Sequence, residues 1–162
     1  MKKFMVNILF LSSMCFAQSS VEIHGTSTLH DWKMVSQAID VGAFESEGGV
    51  ISALDVGVQI ETLKSGDPGL DKKAYEALKI DKSNVITFSL KEHNMENKTL
   101  RGVFKVLDME REEILTPEVI EVDRVAGSFE VNMTDFGITP PSVMFGAIKS
   151  GDAVTVKYDI QK

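Results

Sequence analysis

The segment HGTSTLHDW (residues 24–32) holds the residue types most capable of chemistry. It contains two of the three histidines of the chain and its only tryptophan, set among small hydroxyl residues. Three hypotheses fit this composition: a metal site, a catalytic pair of His30 and Asp31, or the mouth of a binding cavity. The first two would indicate an enzyme, and the third a binding protein.

A metal site here would need more ligands than the segment offers. His24 and His30 are six residues apart, and in a continuous strand even spacing places both on one face. Zinc usually takes a third protein ligand, for which Asp31 and His93 are the only candidates, and the chain has no HExxH motif. We therefore predict no metal ligands, and interpret both histidines as hydrogen-bonding residues near the end of a strand.

A catalytic centre would need a nucleophile beside a base. Ser27 lies close to His30 and Asp31 in sequence, but successive side chains on a strand point to opposite faces, so Asp31 is poorly placed to orient His30. No GxSxG motif is present. The acidic pair Glu112-Glu113 is predicted to be solvated surface in a turn. We predict no catalytic residues, with an enzyme using His24, His30 and Asp31 as an alternative.

The first 17 residues differ in composition from the rest of the chain. A basic start and an almost wholly apolar stretch up to Phe16 precede Ala17-Gln18. This pattern is typical of a secretory signal peptide cleaved near Ala17-Gln18, and the apolar run is shorter than the ~20 residues that span a bilayer. We expect residues 1–17 to be removed. The mature domain, residues 18–162, would be periplasmic or secreted and would not be stably inserted in a membrane.

Charge and cysteine content exclude several classes of function for that domain. The single cysteine, Cys15, lies in the leader, so the mature protein would have no disulfide and no thiolate. Without Lys2 and Lys3 the formal net charge falls from −7 to −9. Such a surface repels nucleic acids and anionic membranes. We expect no nucleic-acid partner and no cofactor. The sequence does not predict the oligomeric state, and a dimer is one of the alternatives.

Alternation of apolar and polar residues with period two dominates the mature chain. It is typical of antiparallel strands that bury one face and expose the other. Turn signals such as Gly48-Gly49 separate the runs, and Pro117 predicts a bulge or an edge strand. We count about eight strands. The clearest runs cover residues 35–44, 54–60, 86–90, 104–107, 114–122, 125–133 and 154–160.

One segment has a helical period instead. Leu70, Ala74, Ala77 and Leu78 recur at helical spacing after Asp67-Pro68, where Asp is a good N-cap and Pro suits the first turn. The pattern predicts one short helix over about 68–79. Eight antiparallel strands can form a sandwich or a barrel, and an eight-stranded barrel can hold one small ligand; composition alone does not choose between them.

Four segments of the chain resemble the YceI-like family of secreted, lipocalin-like barrels that bind polyisoprenoid lipids. They are GTSTLHDW, LKSGDPGLDKKAYEALK, ITFSL and VAGSFEVNMTDFGITPPSVMFGAIKSGDAVTV, in that order. The resemblance covers about residues 22–160. This chain departs from the family pattern at Ser83-Asn84, where an aromatic-proline pair is frequent, and at the MEREE connection (109–113). The resemblance implies an all-β, eight-stranded antiparallel barrel with one short helix between strands.

The resemblance also implies a carrier of a polyisoprenoid or other amphiphilic lipid, held in the apolar interior. Trp32 is interpreted as a plug or wall at one end, and the loop around Pro140-Pro141 as a cap or an entrance. Gly102 and Gly127 fall on inward registers and are predicted to leave space for a ligand. His30, Asp31 and Lys149 are candidates for contacting a polar head group. The predicted ligand-binding residues are Trp32, Leu54, Val56, Val58, Phe88, Phe104, Val106, Phe129, Val131, Phe136, Phe145 and Tyr158. The alternatives are a lipid-modifying enzyme and a ligand-free structural barrel.

Overall fold

A computed structural model describes residues 18–162, which form eleven β-strands and one α-helix. The predicted leader, residues 1–17, lies outside the described residues. The strands are β1 (Ser20–Ser27), β2 (Trp32–Ser36), β3 (Ile39–Glu47), β4 (Val50–Gln59), β5 (Val85–Asn94), β6 (Thr99–Val106), β7 (Met109–Leu115), β8 (Val119–Ile120), β9 (Arg124–Asn132), β10 (Ser142–Val143) and β11 (Ile148–Gln161); the helix is α1 (Pro68–Ala77). Three short 3₁₀ turns cover Ile60–Thr62, Met133–Phe136 and Met144–Gly146.

The strands form two antiparallel sheets that face each other. The first has the order β2-β1-β11-β9-β8, with β10 also paired to β11, and the second has the order β3-β4-β5-β6-β7. Strand pairing among residues 18–162 does not join the sheets into a closed ring. The all-β, antiparallel prediction is confirmed, but the prediction of a closed eight-stranded barrel is wrong in both strand number and closure.

Two divided runs and the short strand β10 account for the additional strands. The run 35–44 is broken between β2 and β3, which belong to different sheets, and the run 114–122 is broken between β7 and β8. Residues 109–113, predicted to be a connection containing a solvated acidic pair, lie in β7. Glu112 there forms an ion pair with Arg101 of β6 (Nη1–Oε1 3.1 Å). An edge strand with charges on both faces carries no period-two signal.

The β3–β4 turn forms where the sequence supplies residues that tolerate left-handed backbone. Gly48 and Gly49 connect β3 to β4 with φ of +59° and +84°, as the favoured two-residue hairpin turns require. Pro117 lies between β7 and β8, each of which is the last strand of its sheet. The proline therefore removes no hydrogen bond from a central ladder.

The predicted helix forms nearly as expected. The Asp67 carboxylate accepts hydrogen bonds from the backbone N–H groups of Gly69 (2.7 Å) and Leu70 (3.3 Å), which caps the first turn, and Pro68 occupies the first helical position. None of the helical residues is fully buried. The apolar stripe of α1 packs against one end of the space between the sheets. Within residues 18–162 no helix is long and apolar enough to cross a membrane.

Candidate functional site

The two sheets enclose an apolar cavity of about 620 Å³. This volume falls in the usual range for small-molecule sites, roughly 300–1,000 Å³. Its closed end is formed by side chains that are almost entirely buried, among them Leu100, Leu115 and Ile160. The inward stripes of β1, β4, β5, β6, β9 and β11 supply most of its wall, since alternate residues of each strand face the interior.

Four aromatic rings line this cavity in a continuous row that crosses from one sheet to the other. Phe88 packs on Phe104 with ring centroids 4.7 Å apart, Phe104 on Phe129 at 5.1 Å, and Phe129 on Tyr158 at 6.2 Å. All three pairs are tilted, at distances where aromatic pairs attract. Phe88 is buried, whereas the other three rings are half-buried on inward-facing registers. The row therefore presents ring surface to the cavity.

The inward-facing glycines do not provide the free space that the sequence predicted. A Cβ at Gly102 would collide with the ring of Phe88, and one at Gly127 would lie 2.7 Å from the Tyr158 hydroxyl oxygen and 3.1 Å from the Pro117 Cα. Each glycine is covered by an aromatic side chain from a neighbouring strand. This prediction is wrong because a missing side chain can be filled by a neighbouring ring as well as by a ligand.

The mouth of the cavity lies between three segments: the β1–β2 loop (27–31), the N-terminal half of α1, and residues 137–148. Leu29 and His30 of the loop, Asp67 and Lys73 of the helix, and Pro141 line it. The inner stripe of the helix, residues Leu70, Ala74, Ala77 and Leu78, also lines the cavity. The helix thus borders the opening, and the charged lining residues lie at this end.

Trp32 lies where the mouth meets the wall. Its indole covers Gly25, its cross-strand partner in the β1–β2 pair. The indole Nε1 lies 3.1 Å from both the Thr26 carbonyl oxygen and the Ser150 hydroxyl oxygen, to which it donates. The polar edge of the ring is thereby satisfied while its apolar face lines the cavity. Trp32 is both a fixed plug and part of the wall.

The histidines of the segment do not converge. His24 is hydrogen-bonded to Glu22 two residues before it on β1 (Nε2–Oε2 2.7 Å), and this bond lowers the pKa of Glu22. His30 lies in the loop after β1 ends, so the strand geometry that would align it with His24 does not extend that far. Among residues 18–162 no group of three His, Cys, Asp or Glu side chains is placed to hold a metal.

The loop does not form a catalytic arrangement around His30. Its Nδ1 is 2.9 Å from the backbone oxygen of Asp31, not from the carboxylate. The Ser27 hydroxyl donates to the His30 carbonyl (2.7 Å) and accepts from the backbone N–H groups of Leu29 and His30, both at 3.2 Å. Ser27 therefore closes the turn, which is a structural role.

Among residues 18–162, Tyr158 is the cavity-lining residue whose side chain has a buried polar atom without a hydrogen-bond partner. Its hydroxyl is buried against Gly127 and Pro117 and has no hydrogen-bond partner among residues 18–162. Burial raises the pKa of the Tyr158 phenol, and the nearby charge of Glu118 adds to the effect. The hydroxyl therefore stays protonated, and the half-buried ring faces the cavity.

Eleven of the twelve residues predicted to bind the ligand line this one cavity, and Phe145 does not. The ring of Phe145 lies on the outside, fully exposed. Of the residues predicted to contact a head group, His30 lines the mouth, whereas Asp31 and Lys149 do not. Sequence reasoning missed Lys73 at the mouth. The predicted helical stripe includes Ala74, and Lys73 directly precedes it in the sequence. This adjacency was the signal that could have placed Lys73 at the mouth.

The fold is similar to that of several solved structures, all of low sequence identity. BcnA from Burkholderia cenocepacia superimposes with a TM-score of 0.71 at 9% identity, covering 88% of this chain and 94% of that one. A polyisoprenoid-binding domain from Saccharophagus degradans gives 0.61 at 9% identity, covering 88% and 91%. A YCEI protein from Campylobacter jejuni gives 0.56 at 11% identity, covering 76% and 82%. At such identities the likeness shows the fold alone.

No curated protein matches the chain by sequence. The family model of the YceI-like domain, in contrast, matches residues 13–162 of the sequence, which is nearly the whole chain. This match agrees with the resemblance carried by the four quoted segments and with the two-sheet architecture. The chain belongs to the YceI-like domain family.

Proposed function

We propose that this protein binds a polyisoprenoid or similar long-chain lipid in the cavity between its two sheets, and carries it in the cell envelope after export. The observation that carries the proposal is the cavity itself: about 620 Å³, with an almost entirely apolar wall and with charged side chains only at one end. Burial of a hydrocarbon chain contributes about 0.8 kcal/mol per CH₂. Such a wall selects a ligand by the length and shape of its hydrocarbon chain and not by a particular polar group.

Two further observations support a lipid. The wall includes the row of aromatic rings, whose faces suit the flat double bonds and methyl branches of an isoprenoid. A structural neighbour of the chain is named as a polyisoprenoid-binding domain. Export rests on the leader predicted at residues 1–17, which an intact mass of protein recovered from the envelope fraction would test; mature protein should begin near Gln18.

The direct test is native mass spectrometry of the purified protein followed by lipid extraction, and it should find one long-chain lipid per domain. A Val156→Phe variant should block binding. Val156 is half-buried on β11 and lines the cavity, so a larger ring there would occupy the space of the ligand.

The matched control is Thr155→Phe, one residue earlier on the same strand and outside the cavity lining. Its ring should leave the bound lipid unchanged. Wild-type protein that carries no lipid, and that does not bind geranylgeraniol when this is added, would contradict the proposal. So would a folded Val156→Phe protein with a full lipid load.

A further inference from the structure

Three large apolar side chains project into solvent beside the cavity mouth. Leu29 is 65% exposed, Met144 is 70% exposed and Phe145 is fully exposed. We call these three residues the apolar rim. Leu29 lines the mouth, and Val143, next to Met144, lines it too. Single exposed apolar residues are ordinary, but a group of them at the entrance of an apolar cavity marks an interaction surface.

Hydrogen bonds hold the two parts of the apolar rim together. The backbone N–H of Thr28 donates to the Lys149 carbonyl (3.0 Å), and the Thr28 hydroxyl donates to the Ala147 carbonyl (3.3 Å). The Lys149 N–H in turn donates to the Thr28 hydroxyl oxygen (3.2 Å). The loop that carries Leu29 is thus fixed to the β10–β11 hairpin that carries Met144 and Phe145.

The backbone of that hairpin presents Phe145 outward at a conformational cost. Met144 and Phe145 both have left-handed backbone, with φ of +52° and +56°, and Gly146 follows with φ of +87°. Left-handed backbone is uncommon for residues other than glycine. A fully exposed phenylalanine in such a backbone conformation does not contribute to the stability of the fold. Backbone strain of this kind is typical of functional sites.

The charged groups near the apolar rim indicate which kind of surface the rim binds. Residues 18–162 carry a formal net charge of −9, since Lys2 and Lys3 lie outside them, so general attraction to anionic lipids is excluded. Next to the rim, however, lie Lys73, which lines the mouth, and Lys149, whose Cε is 3.7 Å from where a Cβ at Gly146 would be. Of the nearby acidic groups, Asp67 caps α1, and Glu76 forms an ion pair with Lys73 (Nζ–Oε2 2.8 Å).

We propose that the apolar rim inserts into the surface of a lipid bilayer and thereby places the cavity mouth against the membrane, so that a lipid passes between bilayer and cavity without crossing water. This inference rests on the proposed function, since a cavity for lipid explains why the rim surrounds that opening. Insertion buries Leu29, Met144 and Phe145, while Lys73 and Lys149 remain at the level of the phosphates, as basic side chains do at interfaces. The attraction is apolar and should persist at high salt.

The test is flotation of the full protein with unilamellar phosphatidylcholine vesicles at low and high salt. Phe145→Gly removes the ring and suits the left-handed backbone, so the variant should be at least as stable as wild type. Its partition onto vesicles should nevertheless fall about tenfold, which corresponds to the loss of one buried large apolar side chain. Combining it with Leu29→Ser and Met144→Ser should abolish flotation.

The matched control is Val122→Ser. Val122 is 61% exposed in the β8–β9 turn, next to Asp123, whose carbonyl accepts from the Lys162 N–H at the far end of β11. The mouth lies at the other end of that 14-residue strand, about 40 Å away. This variant should float like wild type.

Geranylgeraniol supplied without vesicles, followed by Trp32 fluorescence, separates the rim from the cavity. Phe145→Gly, which leaves the cavity lining unchanged, should bind it like wild type and take it up from vesicles more slowly. If flotation depends on the rim but geranylgeraniol never enters the cavity, insertion of the rim into bilayers stands, whereas the proposed function and the lipid transfer that rests on it fail. Wild-type protein that does not float, or Phe145→Gly protein that floats like wild type, overturns the inference. So does a dimer that the rim variants convert to monomer in the absence of vesicle binding, because the rim would then join two copies of the chain.

Discussion

The indole of Trp32 lies directly over Gly25, its partner across the β1–β2 pair, in a position that no side chain on residue 25 would allow. Gly25 is buried by this contact. The same relation recurs where Phe88 covers Gly102 and where Tyr158 covers Gly127. Three inward-facing glycines thus each fix the position of an aromatic ring in the cavity wall, and shape the cavity through the ring that covers them.

Gly25→Ala should displace Trp32. A Cβ at residue 25 would lie 2.8 Å from Cη2 of the indole and closer still to two other ring carbons, so the ring must move or the strands must separate. We expect a loss of about 1–3 kcal/mol in the free energy of unfolding, as for overpacked cores, and a shift in the emission of the only tryptophan. Denaturant unfolding monitored by fluorescence measures both.

Gly42→Ala is the matched control for that experiment. Its Cβ would meet the Asp55 Cβ at 3.8 Å, an ordinary contact, so the free energy of unfolding should be unchanged or rise by up to about 1 kcal/mol, because alanine has less backbone entropy to lose. If Gly25→Ala behaves like Gly42→Ala, Trp32 is not held over the glycine in solution.

The sequence allowed the central strands and the helix to be predicted because their signals are local. β4, β5, β9 and β11 each bury one face and expose the other, which produces period two, and the Asp67 cap precedes the helical stripe of α1. The edge strand β7 was missed because both of its faces carry exposed charged residues. The lack of closure was missed because pairing between strands distant in sequence leaves no mark on either strand alone.

The candidate site was predictable to a similar degree. Residues on regular strands, such as Phe104 and Val131, were placed in the interior by their register alone. Phe145 was predicted to face the ligand because it is aromatic and lies in an apolar loop. Its orientation is set by left-handed backbone at two consecutive positions, which nothing in the local sequence apart from Gly146 indicates. Irregular loops lack the periodicity that makes register predictable.

Tyr158→Phe should leave the fold intact and make it slightly more stable. The buried hydroxyl has no partner among the described residues, and a buried polar group without a hydrogen bond costs about 1–3 kcal/mol. Thermal unfolding of the lipid-free variant should therefore occur at or above the wild-type midpoint, with lipid content unchanged. A selective loss of bound lipid would show instead that the hydroxyl reorients and bonds to the ligand.

Asp159→Asn should reduce stability at neutral pH but not in acid. The Asp159 carboxylate binds Arg124 through two hydrogen bonds (Oδ1–Nε 2.9 Å, Oδ2–Nη2 2.8 Å), and this guanidinium lowers the pKa of Asp159. A folded-state pKa below the unfolded value, about 3.9, means that the pair stabilises the fold above that pH. The contribution is lost as the pH falls through the lower, folded-state value.

The measurement is the free energy of unfolding of wild type and Asp159→Asn across the acid range. The difference between them should be largest near neutral pH and should shrink toward zero in acid, where Asp159 is protonated in the wild type. Both partners are about one-third exposed, so the difference should be small and should decrease in high salt. A difference that does not depend on pH would mean that the variant acts through packing.

Truncation of two rings in the aromatic row should show whether the cavity is open in solution. Phe88 is 6% exposed and packs on Gly102, on Phe104 and into the main core, so Phe88→Ala should cost about 3–5 kcal/mol, the usual loss for a close-packed phenylalanine. Phe129 borders the cavity as Phe88 does, but it is only half-buried. Phe129→Ala removes fewer contacts, so the lipid-free protein should lose clearly less free energy of unfolding. The substitution also enlarges the cavity and should weaken lipid retention.

Denaturant unfolding of both lipid-free variants, with extracted lipid measured in parallel, makes the comparison. Equal losses of stability would mean that Phe129 is as tightly packed as Phe88, and hence that the two sheets close onto each other when no lipid is bound.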